Sequence, residues 1–264
     1  MRLTIIGCAG SYNGPDAAAS CYLVEAEHDD GTGSRTWRLL LDLGSGALGP
    51  LQRMTDPLGI DAVLISHLHA DHCLDLCGYY VMRKYHPSGT QPRLPVWGPS
   101  TTADRMARAY DLETDPGMHE EFEFLTWDAP MTIGPFAIEA IPVDHPVEAY
   151  GMRIAADGAV LGYSGDTGPC AGLDAVAKNV DLFLAEASFR SCDTNPPALH
   201  LTGTECGETA TRMGARRLVV THVPPWFDSA TALEEAVASF DGPVDLAAPG
   251  AVYEVGVPVS PVHR

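Results

Sequence analysis

The segment SHLHADHC at 66–73 restricts the possible folds more than any other part of this chain. It follows the apolar run DAVLIS at 61–66, which predicts a strand, and it places His67, His69, Asp71 and His72 within six residues. Imidazoles and carboxylates buried at a strand end need polar partners that an apolar strand does not supply. A bound cation supplies such partners, so the segment predicts a metal site.

The spacing within this segment predicts two metal positions. Side chains alternate along an extended segment, so His67 and His69 point to the same side and can bind one ion. Asp71 and His72 lie on the turn that follows, and we expect them to face a second ion roughly 3.5 to 4 Å from the first, as in paired hydrolytic metals. A helix is predicted over 72–85, with the partial positive charge of its N-terminus beside the site.

Further histidine and aspartate residues are expected where predicted elements begin or end. His145 lies between two predicted strands, Asp166 and His222 each close a predicted strand, and His200 precedes a predicted helix. Each is ambiguous alone, because a lone histidine is more often a surface residue than a ligand. Sheet-built sites collect their functional groups at strand ends. These positions, taken with the segment at 66–73, therefore predict one shared site.

Short apolar strands recur along the chain, and helices are predicted between them. The predicted strands cover 3–6, 20–26, 37–43, 61–66, 94–98, 121–127, 136–143, 149–155, 159–165, 180–188 and 217–223. The predicted helices cover 72–85, 100–110, 171–178, 203–215 and 230–240, with N-cap hydroxyls offered before the second helix by Ser100, Thr101 and Thr102 and before the fourth by Thr202 and Thr204. The order predicts an α/β fold with two sheets between helix layers. Since no Gly/Ser-rich or Pro-rich linker divides it, we expect one domain over 1–264.

Charge and apolar content restrict the partners. The chain carries 16 basic and 35 acidic residues, a net charge of −19, which disfavours nucleic acids because their binding relies on basic patches. A small anionic substrate held by metal ions is compatible with this charge, since only the local charge acts on it. The apolar run near Met1 is too short for a signal peptide, and we expect no membrane association. Seven cysteines, an odd number without CxxC spacing, predict a reducing cytoplasm.

The chain resembles the metallo-β-lactamase superfamily. The resemblance rests on HLHADH at 67–72, the later His145, the SGDT segment containing Asp166 and the TH pair containing His222, with GCAGS and LLLDLGSG resembling the first strands of the family. It implies a four-layer αββα sandwich of two mixed sheets flanked by helices. It also implies two divalent metal ions, the first bound by His67, His69 and His145, the second by Asp71, His72 and His222, with Asp166 bridging both. Imidazole with carboxylate suits Zn²⁺, with Mn²⁺ or Fe as alternatives.

Two further segments resemble the ribonuclease Z-like branch of this superfamily. LHLTGTE at 199–205 implies His200 as the general acid for the departing oxygen or as a donor to the phosphate in the transition state. Asp71 is the candidate that orients or deprotonates the attacking water. Glu186, in LAEASF at 184–189, is expected either to orient a histidine or to have only a structural role. Cys73 and Cys77, one helical turn apart, are alternative ligands, although small buried thiols on a helix face are common.

Two substrate classes compete within this branch. Members that trim transfer RNA precursors carry a long arm between the later histidine and the bridging aspartate, whereas here a strand, a DG turn and another strand fill the interval from His145 to Asp166. Together with GCAGSYNGPDAAASCYL and THVPPW, this resembles the atypical bacterial cyclic AMP phosphodiesterases and predicts hydrolysis of 3′,5′-cyclic AMP to 5′-AMP.

Other functions stay open. The alternatives are a ribonuclease Z-like endonuclease, a hydrolase of another small ester or cyclic phosphate, and a non-catalytic metal-binding scaffold. Members of the resembled family are often dimers, so a homodimer is possible. The segment 86–99, rich in Pro and Gly, is a candidate to pack on a partner or cover the site.

Overall fold

The computed structural model describes residues 1–29, 31 and 33–256. Its strands are β1 (Arg2–Gly7), β2 (Cys21–Asp29), β3 (Ser34–Leu41), β4 (Ala62–Leu64), β5 (Leu94–Gly98), β6 (Phe122–Thr126), β7 (Met131–Ile133), β8 (Phe136–Pro142), β9 (Tyr150–Ala156), β10 (Ala159–Tyr163), β11 (Leu182–Glu186), β12 (Leu218–Thr221), β13 (Val244–Leu246) and β14 (Val252–Glu254). Its helices are α1 (Leu48–Met54), α2 (Ala70–Cys73), α3 (Leu76–Tyr85), α4 (Thr102–Ala109), α5 (Ala171–Ala177), α6 (Gly203–Met213) and α7 (Ser229–Ser239).

The strands form two mixed sheets of seven strands each. The first has the order β14-β1-β2-β3-β4-β5-β6, and the second has the order β13-β12-β11-β10-β9-β8-β7. In the first sheet the pairs from β3 to β6 are parallel, and in the second those from β10 to β13 are parallel. The remaining pairs are antiparallel. Each sheet thus combines an antiparallel half with a parallel half.

Successive leucines of β3 pack against different layers of the fold. Leu39 and Leu41 are fully buried in the cluster that joins the two sheets, while Leu40, between them, is fully buried against the helices. A strand packed on both faces is apolar at successive positions rather than at alternate ones. The run LLL in β3 therefore indicates a central strand between two cores.

Three apolar clusters separate four layers. The first lies between the sheets and joins Leu3 and Tyr22 of one sheet to Met152 and Leu184 of the other. The second fills the space between the first sheet and helices α1 to α4, and the third lies between the second sheet and helices α5 to α7. This is the predicted αββα sandwich of two mixed sheets.

The helix predicted over 72–85 is interrupted. It consists of α2 and α3, separated at Leu74 and Asp75. Asp75 carboxylate oxygens accept hydrogen bonds from Gly46 N at 3.0 Å and Leu48 N at 2.8 Å, and Leu43 N donates to His72 O. These contacts with the segment that leads into α1 interrupt the helix between Cys73 and Leu76. Asp71 and His72 therefore lie in the first turn of α2, not on a preceding loop.

Three further predictions concern the helix caps, the cysteines and membrane-spanning helices. The hydroxyl of Thr202 accepts from Glu205 N and the Glu205 side chain accepts from Thr202 N, which is a complete capping box at the start of α6. The predicted cap of α4 is wrong in detail, because Thr101 occupies the N-cap position without a side-chain capping bond. The seven cysteines are free thiols. Within the described ranges, every helix is too short or too polar to cross a membrane.

Candidate metal centre

The predicted site residues lie where strands end at one edge of the sandwich. His67 to His72 follow β4, His145 lies between β8 and β9, Asp166 follows β10, and His222 follows β12. Because β10, β11 and β12 are parallel neighbours, their carboxyl ends meet at the same edge. Tyr150 N donates to Ser66 O at 3.0 Å and joins the two sheets beside the site.

The first group of potential ligands consists of His67, His69 and His145. Their donor atoms all lie within 4.8 Å of one another. His69 Nδ1 is 3.0 Å from His67 Nε2 and 3.1 Å from His145 Nε2. One ring nitrogen carries either one proton or one lone pair, so two such close neighbours are poorly satisfied by hydrogen bonding alone. A cation between the three nitrogens satisfies all of them.

The second group consists of Asp71, His72, Asp166 and His222, all buried, with donor atoms within 4.8 Å of one another. His222 Nε2 lies 3.1 Å from His72 Nε2 and 3.2 Å from Asp71 Oδ2. Two imidazole nitrogens and two carboxylates are a donor set suited to borderline and hard divalent cations.

Asp166 faces both groups. Its Oδ2 is 3.8 Å from His67 Nε2 in the first group, and its Oδ1 is 3.2 Å from His72 Nε2 in the second. The residue is only 2% exposed, and Oδ1 forms no hydrogen bond with any described residue. A buried carboxylate oxygen without a hydrogen bond is costly, and a cation compensates that cost. The residues present therefore fit a pair of divalent cations with Asp166 between them.

The protonation states of the first-group histidines and of the two carboxylates also suit metal binding. Burial lowers the pKa of all three histidines of the first group and keeps their rings neutral. Burial acts to raise the pKa of Asp166, but the attraction of His222 and His72 outweighs it and lowers that pKa well below its usual value. For Asp71, burial also acts to raise the pKa, but the hydrogen bond with His222 and the charges of His72 and His222 together outweigh it and lower that pKa. Neutral imidazoles and ionised carboxylates are the forms that bind metals.

Sequence reasoning did not find Asp42, which lies fully buried behind His72. Its Oδ2 is 2.7 Å from His72 Nδ1 and accepts from Tyr163 OH at 2.6 Å, and its Oδ1 accepts from Ser66 N. Burial lowers the pKa of His72, but Asp166 and Asp42 together raise it well above its usual value. The position thus attracts positive charge, whether a proton or a metal ion. The sequence offered one signal for this residue, because Asp42 lies near the end of the apolar run WRLLLDL at 37–43.

Other buried groups fix the remaining rings. Ser188 Oγ lies 2.8 Å from His222 Nδ1, and the carbonyl oxygen of Leu199 lies 3.0 Å from His145 Nδ1. Both contacts leave Nε2 of the ring to face the site. His222 and Asp42 each adopt a left-handed backbone conformation, with φ of 57°. This conformation costs about 1 kcal/mol or more for a residue with a Cβ atom.

His200 lies beside the second group and is held by Glu186. Its Nδ1 is 2.8 Å from Glu186 Oε1, and the two residues form a further donor cluster with His222. Burial lowers the pKa of His200, but the charge and hydrogen bond of Glu186 outweigh burial and raise it to about 9. The ring is therefore protonated at neutral pH. Glu186 was expected either to orient a histidine or to have only a structural role. Its contact with His200 agrees with the first of these.

The two cysteines considered as ligands point elsewhere. Cys73 Sγ donates to His69 O, and Cys77 Sγ lies 4.0 Å from Met106 O. Both pack in the cluster between the first sheet and its helices. Burial raises the pKa of Cys73 to about 12, which disfavours the thiolate that binds metals.

Comparison with known proteins identifies the family. A family model described as a beta-lactamase superfamily domain matches residues 37–223, more than half of the chain. The chain belongs to the beta-lactamase superfamily. Membership, together with a Bacillus subtilis relative named as a probable metallo-hydrolase, agrees with the prediction of a metal-dependent hydrolase.

Several relatives match most of the chain. An uncharacterized protein of Mycobacterium tuberculosis is 44% identical over 261 residues, covering 97% of this chain and 92% of its own length. A ribonuclease Z of Mycobacterium bovis is 30% identical over 254 residues, covering 85% of this chain and 86% of its own length. The crystal structure of the metallo-beta-lactamase fold protein YhfI from Bacillus subtilis has a TM-score of 0.82 and 28% identity, covering 96% of this chain and 98% of that chain. The predicted fold class is confirmed.

Proposed function

We propose that this protein is a dinuclear metal-dependent phosphodiesterase that hydrolyses a small cyclic nucleotide, 3′,5′-cyclic AMP to 5′-AMP. The observation that carries the proposal is the position of Asp166, whose two oxygens face two separate groups of ligand atoms. A pair of cations bridged by one carboxylate suits in-line displacement at phosphorus, because both the attacking and the leaving oxygen need stabilisation.

The proposed ligands follow the two groups. The first ion would be held by His67, His69 and His145, the second by Asp71, His72 and His222, and Asp166 would contact both. Zn²⁺ suits this mixture of imidazole and carboxylate, and Mn²⁺ or Fe are alternatives. When bound, two such ions supply Lewis acidity that activates water and neutralises the phosphoryl oxygens.

The remaining steps use side chains of this chain. Asp71 is ionised and 7% exposed, so its carboxylate can accept a hydrogen bond from the attacking water and orient it. His200 is protonated, and Glu186 holds Nδ1, so Nε2 is the atom that donates a proton to the departing ribose oxygen. Proton donation of this kind contributes about 10²- to 10⁴-fold in rate.

A small substrate is favoured by the local structure and the charge. Between His145 and Asp166 the chain forms only β9, a turn at Asp157 and Gly158, and β10, which leaves no room for a transfer-RNA-binding arm. A chain of net charge −19 also repels a polyanion. The 30% identity to a ribonuclease Z supports a phosphodiester as the bond cleaved and keeps RNA processing as the second candidate. The seven free thiols agree with a cytoplasmic location.

A substrate panel tests the proposal. The purified protein is loaded with Zn²⁺ or Mn²⁺ and incubated with cyclic AMP, cyclic GMP and a transfer RNA precursor, and its metal content is measured. Release of 5′-AMP by protein carrying about two ions per chain is the expected result. Cleavage of the RNA alone would replace the proposal by the ribonuclease function. Two bound ions without release from any of these substrates would contradict it and favour another small ester or a non-catalytic scaffold.

A further inference from the structure

Two exposed aromatic side chains contact each other at the surface. Tyr12 is 43% exposed and Trp226 is 58% exposed, and their ring centroids are 5.2 Å apart with 33° between the ring planes. Large aromatic rings are usually buried, since each buries a large apolar area on packing. A pair that contacts each other and remains exposed is a candidate binding surface. We call this pair the aromatic platform.

The aromatic platform is connected to the second ligand group by short backbone contacts. Trp226 lies four residues after His222. Gly10 N donates to Val223 O at 3.1 Å, and a Cβ at Gly10 would lie 2.2 Å from the carbonyl oxygen of His222, so only glycine permits this approach. Tyr12 N donates to Gly10 O at 2.7 Å. Both rings therefore extend from the segments that pack directly on the backbone of His222.

The loop that carries Tyr12 also reaches the other side of the second group. A Cβ at Gly46 would lie 3.6 Å from the Asn13 side chain, and a Cβ at Gly44 would lie 1.9 Å from Asp71 O. The segment 10–13 thus spans from His222 to the turn that contacts Asp71. The backbone that carries Tyr12 therefore adjoins the second group on two sides.

Local contacts restrict the segment that carries Trp226. Pro224 and Pro225 restrict the backbone before it, and Phe227 N donates to Pro224 O at 2.9 Å to close a turn. The Phe227 ring meets Trp226 edge to face at 6.0 Å, and the guanidinium of Arg190 lies 4.5 Å above the Phe227 ring. A ring fixed before binding loses little conformational entropy when a ligand stacks on it.

We propose that Tyr12 and Trp226 stack against the heterocyclic base of the substrate while its phosphate lies at the metal centre. This inference rests on the proposed function and makes it more specific. Stacking needs no positive charge, so it can hold a nucleotide on a protein of net charge −19. Esters and cyclic phosphates without an aromatic group would lack this contact. The platform therefore selects nucleotides among the small phosphodiesters that the site could cleave.

Comparison of two product-like ligands tests the inference. The metal-loaded protein is titrated with 5′-AMP and with ribose 5-phosphate, which has the same phosphate and sugar but no base. We expect the wild-type protein to bind 5′-AMP about tenfold or more tightly than ribose 5-phosphate, because one stacked base contributes about that much to affinity. Trp226→Ala should remove most of this difference while leaving the affinity for ribose 5-phosphate unchanged, and Trp226→Phe should restore part of it.

Fluorescence gives a second readout that does not depend on turnover. Stacking of the base on Trp226 should quench tryptophan emission when 5′-AMP is added, and ribose 5-phosphate should not. The quench should disappear in Trp226→Phe and persist in Tyr85→Ala, which removes another exposed aromatic ring at the end of α3. Equal affinity of the wild-type protein for both ligands, or an unchanged preference in Trp226→Ala, would overturn the inference.

The outcomes also separate this inference from the proposed function. Hydrolysis of cyclic AMP with no preference for 5′-AMP over ribose 5-phosphate would support the reaction and reject the platform. A preference for 5′-AMP that Trp226→Ala abolishes, without hydrolysis of any cyclic nucleotide, would support the platform and reject the reaction. A change from dimer to monomer in Trp226→Ala with an unaltered preference would assign the pair to a subunit interface and overturn the inference.

Discussion

Glu186 Oε1 lies 2.8 Å from His200 Nδ1, at the end of a strand whose neighbours carry the proposed metal ligands. Glu186 is 1% exposed and also accepts hydrogen bonds from Thr167 N and Ser188 N. Its carboxylate is therefore held in place, and it favours the charged form of His200. This pairing keeps His200 protonated at neutral pH, as its proposed role of proton donor requires.

Glu186→Gln should alter the pH dependence of hydrolysis. Glu186 raises the pKa of His200 to about 9, so in the wild-type protein the protonated acid persists up to that pH. Without the negative charge the pKa should fall toward the usual value of about 6.5, and the acid form is then lost at lower pH. We expect the alkaline limb of the pH–rate profile to move to lower pH, with roughly a thirtyfold loss of kcat at pH 8 if the pKa returns to its usual value. An unshifted limb would contradict the role of Glu186.

His200→Ala should separate proton donation from metal binding. His200 is absent from the two proposed ligand groups, so the variant should retain about two ions per chain. Its turnover of a phosphodiester should fall about 10²- to 10⁴-fold, as expected for a lost general acid. Kinetics with metal analysis of the same preparation provides the measurement. Unchanged turnover would remove His200 from the mechanism.

Asp166→Ala should release metal. The carboxylate faces both ligand groups, so its removal takes one oxygen from each proposed ion. We expect loss of one or both ions, measured by elemental analysis after gel filtration. Asp181→Ala serves as the matched control, because Asp181 bonds Val160 N and Arg216 before β11, away from the site. Two ions retained in Asp166→Ala would disprove the bridging assignment.

Asp42→Asn should weaken metal binding without changing any proposed ligand. The carboxylate lies against His72 Nδ1 and sets which ring nitrogen faces the site. Loss of such an outer partner typically reduces metal affinity about 10- to 100-fold. Competition with a metal chelator measures the change. Asp61→Asn is the control, since Asp61 accepts from Arg38 N and Arg35 far from the site and its loss should leave the metal affinity unaltered.

Removal of metal should lower thermal stability. Ligands that bind only the folded state stabilise it by RT ln(1 + [L]/Kd), about 2.7 kcal/mol at one hundred times Kd. Without cations, the converging ring nitrogens and the unbonded Oδ1 of Asp166 are poorly satisfied. We expect a chelator to lower the Tm and added Zn²⁺ to restore it. A Tm that does not change with either treatment would argue against a metal site here.

Local patterns were sufficient for much of the fold. Apolar runs located most strands of both sheets, and the hydroxyl and glutamate spacing at Thr202 and Glu205 located the start of α6. The three-residue strands β7, β13 and β14 and the short helix α1 were not predicted. Segments this short carry little periodicity, and pairing with neighbouring strands decides whether they become β structure. The interruption of the helix after His72 likewise depends on hydrogen bonds with the segment before α1.

The amino-acid sequence by itself determined the chemistry of the site, because four donor side chains fall in one six-residue segment and their spacing is a local property of the chain. The positions of His145, Asp166, His200 and His222 at the ends of predicted elements added them to the same site, and the resemblance proposed a role for each. Tertiary structure alone decided what surrounds them: Asp42 behind His72, Glu186 on His200, and Tyr12 against Trp226. The pairs Asp42–His72 and Tyr12–Trp226 join segments far apart in the chain. All three pairs form where strand ends and loops come into contact. No local pattern encodes such meetings, since they arise only when strands pair within each sheet and the two sheets then pack together.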